Sequence, residues 1–188
     1  MVTYYKDFII EIIDEPNYSF GSVDNSFVYD IEYFDKMYTY EFGSKHGIRI
    51  SCNGEKIRSA IISGHGGQTG IHAKSYTIKN DAIFICCGSS IYSLNIPLLE
   101  MNWNKELDMA TCFGIYEFDN DFIIHGEIDI SRLTPGGDIK WQFSGRDIFV
   151  NIDNKKAFEI AGNIIKLTDF ENFTYILDGN GKEIKKSN

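Results

Sequence analysis

The chain has 188 residues, of which 43% are apolar and 24% charged, and a formal net charge of −9. That composition suits a folded domain with a buried core and excludes a disordered tail. The acidic balance excludes phosphate-backbone binding, which relies on clustered Lys and Arg, so a nucleic-acid partner is not expected; surplus acid suits either a basic protein partner or plain solubility.

The N-terminal stretch MVTYYKDFIIEIIDEP carries Asp7 and Glu11 inside its apolar run. It reads as neither a signal peptide nor a membrane span, so no membrane partner is expected and a cytoplasmic location follows by elimination. Residues 1–75 read as an N-terminal sheet packed on the rest, with strands near residues 8–13, 26–33, 37–42 and 48–51.

Next comes SGHGGQTGIH, Ser63 to His72, with four glycines in seven residues. Such a backbone can approach a ligand closely or wrap an anion with its N–H groups. It lacks the Lys-Ser/Thr ending of a phosphate-binding loop and does not open a helix as a GxGxxG motif must. The plain reading is a tightly turned connector. The functional reading makes Gly64, His65, Gly66, Gly67, Gln68, Thr69 and His72 ligand-binding residues, joined by His125 and Glu127.

From residue 76 onward short apolar runs alternate with turn signals, and no segment sustains a helical stripe over three turns. The nearest helical candidate, LLEMNWNKELDM at residues 98–109, has an Asn-rich middle that weakens it. Three segments share one plan of strand, short turn, strand ending in Leu, tight turn and strand: residues 82–103, 122–141 and 163–186. Their marker leucines, Leu94, Leu133 and Leu177, are separated by 39 and 44 residues. Periods of about 40 to 45 residues with four strands each are the signature of propeller blades.

The stretch RLTPGGDIKW, Leu133 through Trp141 in particular, resembles the repeat of quinoprotein-type, WD40-like β-propellers. Leu94 through Trp103 match at the ends but have Pro97 in place of a turn glycine. Leu177 onward keeps Asp178 and Gly181 but has Lys186 where Trp would fall. The wording CFGIY, HGE, SRL and WQFSGRDIF between Cys112 and Phe149 is also similar to that of a family of small bacterial proteins, which implies no activity. The resemblance implies a fold and not a quinone, since full quinone-dependent propellers have many more blades and an acidic metal site. The fold class is therefore all-β: a small or partial β-propeller-like stack of antiparallel sheets, with three repeats over 76–188 and an N-terminal sheet. An incomplete ring leaves end sheets needing cover, which residues 1–75 or a homodimer would supply.

Chemistry is less legible. His65, His72 and His125 with Glu127 lack any spacing that specifies a metal, so no metal ligand is assigned. Adjacent Cys86 and Cys87 point to opposite faces of a strand, and with Cys52 and Cys112 they read as buried free thiols. Cys112 and Ser144 lie in no nucleophile motif, so no catalytic residue and no cofactor is assigned. Glu127, Asp129, Arg132, Arg146 and Asp147, with Trp141, read as a structural network between blades, because buried charges must be paired. The expected function is a non-enzymatic protein-binding module, of immunity or regulatory type, for a basic partner. The alternative is a small-ligand or metal-binding protein, or an enzyme, built on the Gly64–Gly70 loop.

Overall fold

The computed structural model describes residues 1–34, 43–150 and 156–184. The described residues form sixteen strands and no helix, grouped in four sheets that follow one another along the chain. Sheet 1 contains β1 (Val2–Tyr5), β2 (Phe8–Asp14), β3 (Ile31–Tyr33), β4 (Ser44–Cys52) and β5 (Glu55–Gly64), in the order β1-β2-β4-β5-β3. Its pairs are antiparallel except for β3, which runs parallel to β5. Sheet 2 is β6 (Tyr76–Lys79), β7 (Ala82–Cys87), β8 (Ser90–Asn95) and β9 (Met101–Glu106). Sheet 3 is β10 (Cys112–Phe118), β11 (Asp121–Gly126), β12 (Asp129–Leu133) and β13 (Ile139–Ser144). Sheet 4 is β14 (Phe158–Ala161), β15 (Ile164–Thr168) and β16 (Thr174–Asp178).

The central sheets are buried on both faces. In β7, Ile83, Ile85 and Cys87 enter the core shared with sheet 1, while Ala82, Phe84 and Cys86 enter the core shared with sheet 3. A strand buried on both sides has no polar face to alternate with, which is why AIFICC is apolar throughout. The same logic sends Phe122 and Ile124 of β11 toward sheet 2 and Ile123 toward sheet 4. Cys86, Cys87 and Cys112 are buried free thiols whose burial pushes their titration well above the ordinary range, so they are held as unreactive neutral groups.

Three apolar cores thus join four sheets in a row, and no core among the described residues joins sheet 4 back to sheet 1. The architecture is a propeller-like stack of sheets. The outward face of sheet 1 is partly covered by an aromatic cap in which Tyr18 and Tyr29 pack on Ile61, flanked by Phe20 and Phe27. Gly47 lets Tyr29 lie directly against β4, where a Cβ would collide with its ring.

Two sequence expectations change here. The strand expected over residues 26–33 is only Ile31–Tyr33, because Phe27 and Tyr29 are used to cover the sheet instead of extending a ladder. The segment 37–42 and Lys185–Lys186 lie outside the described residues. Within the stretch 98–109, whose helical pattern is weak, Met101–Glu106 is the outer strand β9, as the first repeat's plan has it, half-burying Trp103 between exposed Asn102 and Asn104. β1 and β5 were not expected, and each central repeat gains a leading strand, β6 or β10.

One detail recurs in three of the four sheets. In the hairpins β4–β5, β8–β9 and β12–β13 the second strand skips one residue: Ile57 in sheet 1, Asn102 in sheet 2, Lys140 in sheet 3. Pairing resumes at Lys56, Met101 and Ile139, and the bridge Leu177–Glu183 is the sheet 4 counterpart. Two residues before each resumption the backbone turns left-handed, at Gly54 (φ 83°), Leu99 (φ 57°), Gly137 (φ 91°) and Gly181 (φ 76°). An aromatic from the preceding sheet docks on three of these four turns. Tyr33 donates to the Leu99 carbonyl at 3.0 Å and accepts from the Met101 N–H at 3.0 Å. Trp103 donates to the Pro135 carbonyl at 3.0 Å with its ring against Gly137. Trp141 donates to the Gly179 carbonyl at 3.1 Å with its ring against Gly181.

This contact can be isolated by comparing two alanine substitutions. Gly54→Ala and Gly137→Ala both place a Cβ at positive φ, costing about 1–2 kcal/mol each. Only Gly137→Ala also drives that Cβ into the Trp103 ring. Urea unfolding should show a further loss of about 1–2 kcal/mol for Gly137→Ala; equal losses would mean that Trp103 does not rest on the turn.

Candidate functional site

The Gly64–Gly70 loop runs along the end of the stack opposite the aromatic-docked turns, crossing sheets 1, 2 and 3 at close range. A Cβ at Gly64 would collide with the Cys87 carbonyl, at Gly66 with the Ala110 carbonyl and at Gly67 with the Thr111 hydroxyl. The glycines permit this approach, and backbone bonds fix it: Ser89 N–H donates to His65 at 2.7 Å and Gly67 N–H to Ala110 at 2.9 Å. Thr69 is buried, its N–H donating to Ser44 Oγ at 2.7 Å and its hydroxyl to the Cys112 carbonyl at 3.1 Å. The ladder of backbone bonds continues across the row through Cys112 to Gly88, Glu127 to Thr111, Phe149 to Glu127 and Phe170 to Ile148.

The histidines occupy separate places. His65 lines a cleft between sheets 1 and 2. His72 holds its own turn, with Nε2 3.0 Å from the Phe113 carbonyl and Nδ1 accepting from Lys74 N–H at 3.2 Å. His125 is enclosed between sheets 3 and 4, stacked on Phe158 at 4.9 Å, edge-on to Phe113 and 3.0 Å from the Phe149 carbonyl. Burial drives the His125 imidazole down from 6.5 to about 4, against the Phe149 carbonyl, which favours the charged form. Glu127 contributes backbone bonds at the turn that ends the His125 strand. No cluster of three or more potential metal ligands exists among the described residues.

The charged network has a different membership from the one expected. Arg132 donates from Nε to Asp121 at 2.6 Å and from Nη1 to the Gly179 carbonyl at 2.7 Å, with Asp119 3.2 Å from Nη2. Lys140 adds a second bond to Asp121 at 2.7 Å. Burial alone would raise Asp121, but Lys140 and Arg132 hold it below the usual carboxylate range. Asp129 accepts from Ser144 at 2.5 Å, Asp147 caps Ile148 N–H at 2.8 Å, and Arg146 reaches the exposed Glu171 at 3.7 Å. The sequence reading missed Asp108, buried between sheets 2 and 3. Its carboxylate accepts four backbone N–H bonds of 2.7 to 3.1 Å, from Ala110, Thr111, Ile128 and Asp129. No local motif announces it, since two of its partners are about twenty residues away.

Two cavities remain as candidate sites. The cleft between sheets 1 and 2, about 410 Å³, brings Glu32 and Glu106 together with His65, Tyr33, Tyr92 and Asn104. Tyr18 donates to Glu32 at 2.5 Å and Ser89 to Glu106 at 3.4 Å, so both carboxylates are oriented. A second cavity of about 330 Å³ is lined by Gln68, Thr69 and Gly70 together with Asp14, Lys45 and His46. There Asp14 lies 3.0 Å from His46 Nδ1, and His46 Nε2 is buried without a hydrogen-bond partner. Burial lowers the His46 titration while Asp14 opposes it.

Two tests follow. Asp108→Ala strands several buried N–H groups and should cost about 3 kcal/mol or more in urea unfolding; a loss below about 1 kcal/mol would contradict the four-bond arrangement. The unfolded chain protonates His125 near 6.5, whereas the folded chain resists until about 4. Its contribution is complete above that window and is lost as pH falls through it, by up to about 3 kcal/mol. His125→Gln should flatten the stability slope between these pH values, leaving the His46 part; an unchanged slope would contradict the burial.

No family model and no curated protein matches this sequence. Solved structures do. BamB from Moraxella catarrhalis is similar over 78% of this chain and 46% of its own, with a TM-score of 0.52 at 11% identity. The computationally designed Ika8 protein is similar over 98% of this chain and 59% of its own, with a TM-score of 0.51 at 10% identity. The chain spans about half the length of these proteins. At such identities the likeness concerns the fold, and the fold is that of β-propeller proteins.

Proposed function

We propose that this chain is a non-enzymatic, cytoplasmic protein-binding module of immunity or regulatory type that holds a basic partner. The repeat likeness to quinoprotein-type and WD40-like propellers supports a scaffold role, since stacked sheets expose rims of loops on which partners dock. The observation that carries the reading is the cleft between sheets 1 and 2. Two oriented carboxylates, Glu32 and Glu106, stand beside Tyr33 and Tyr92. Two carboxylates lining one cleft suit a Lys or Arg side chain, and the net charge of −9 would steer such a partner.

A second reading, a small-ligand receptor using the glycine loop, draws on the cavity where Gln68, Thr69 and Gly70 meet the Asp14–His46 pair. A carboxylate on Nδ1 leaves Nε2 as an acceptor for a ligand hydroxyl or amine.

The immobilised chain should retain a basic protein from native lysate at low salt and release it as ionic strength rises. Glu32→Gln with Glu106→Gln should weaken that capture, while His46→Phe should leave it unchanged. A chain that retains nothing at any ionic strength, and runs as a monodisperse monomer, would contradict the proposal. Capture lost in His46→Phe but kept in the double glutamine variant would favour the second reading.

A further inference from the structure

The aromatic-docked turn occurs four times, yet only three of the four are covered. Leu99, Gly137 and Gly181 lie under Tyr33, Trp103 and Trp141. Gly54 is also at positive φ and also stands two residues before the paired residue next to the skip, here within the two-residue Asn53–Gly54 hairpin, but no atom of the described residues would lie within 4 Å of a Cβ there. Beside it, on the outward face of sheet 1, lies a groove of about 390 Å³ lined by Gly54, Lys56, Val2, Ile9, Phe27 and the Glu11–Arg49 ion pair, with the Arg49 guanidinium 3.9 Å from the Phe27 ring. Apolar side chains exposed on this face include Val2 at 52%, Tyr4 at 75% and Ile9 at 36%. The aromatic cap stops at Phe27, which forms a wall of the groove and leaves the turn open.

We propose that the Gly54 turn and this groove form a seat for an indole side chain presented by an extended segment of a partner protein. The occupant's chemistry is read from the three covered turns. Each takes an aromatic from the outer strand of a neighbouring sheet, laid against the turn with its N–H or O–H on a turn carbonyl. At the covered turns the aromatic brings a large apolar face and one donor at its rim, and an indole carries both. A second copy of this chain is disfavoured as the donor. Its free end is sheet 4, and the residue standing to Leu177 as Trp141 stands to Leu133 is Lys185. The seat shares no residue with the acidic cleft between sheets 1 and 2, so it stands or falls apart from the cation-binding reading.

The probe is a synthetic peptide copying Ile139–Ser144, IKWQFS, whose tryptophan already covers one such turn within the chain. Titrated into the isotope-labelled full chain, it should move the amide resonances of Gly54, Lys56 and Ile9 saturably. Its Trp141→Ala analogue should bind at least about tenfold more weakly, the factor that 1.4 kcal/mol represents. Gly54→Asn keeps the turn, because Asn tolerates positive φ, yet fills the seat, and should abolish the response. Equal response to both peptides, shifts confined to other surfaces, no response, or an unaffected Gly54→Asn chain would overturn the proposal. A dimer in light scattering that Gly54→Asn dissolves would assign the seat to a second copy and overturn it as well.

Discussion

An aromatic donor resting on the left-handed turn of the next sheet is the contact on which this architecture depends. The apolar cores between sheets supply most of the driving force for stacking, but such burial is non-directional and would tolerate sliding of one sheet over another. A hydrogen bond from an indole or phenol to a single turn carbonyl removes that freedom. It also demands a close backbone approach, which explains the glycines at two of the covered turns and the fully buried Leu99 at the third. At the opposite end of the stack the ladder of backbone bonds through Ser89, Cys112, Glu127, Phe149 and Phe170 performs the same task. Each sheet is thereby pinned at both ends, with the apolar core between.

The two ends of the row differ. Sheet 1 faces outward through an aromatic cap and an uncovered groove, whereas sheet 4 presents the exposed Glu159, Lys166 and Thr174 beside half-buried Ile164 and Ile176. Charged residues inside the stack serve its geometry: Asp108 gathers four N–H groups at one junction, and Arg132 joins the Asp121 turn to sheet 4 through Gly179. Glu32 and Glu106 are oriented carboxylates that line the cleft between sheets 1 and 2, and Asp14 is one that lines the second cavity.

Much of the fold was legible because the back half repeats its own grammar. Leu94, Leu133 and Leu177 mark the same fully buried position in successive sheets, and Trp103 and Trp141 mark the same docking strand. The first sheet shares the geometry without the spelling. Ser51 stands where the leucine is found and Arg58 where the tryptophan is found, and docking passes to Tyr33 on the added parallel strand β3. A pattern of residue types could not reveal that exchange. The glycine loop posed a different difficulty, since glycines that admit a ligand and glycines that admit another backbone look alike until the neighbouring carbonyls of Cys87 and Ala110 are placed. Asp108 was silent for a related reason: Ala110 and Thr111 form an ordinary local turn with it, and only the stacking of sheets brings Ile128 and Asp129 to it.

The account is tested most directly by the Hα resonances of three glycines. Indole rings lying against Gly137 and Gly181 should shift those protons strongly upfield, with cross-relaxation to Trp103 and Trp141 respectively, while Gly54 in the same backbone conformation keeps an ordinary shift. Three glycines resonating together, without contacts to either indole, would show that the sheets are not pinned in this way.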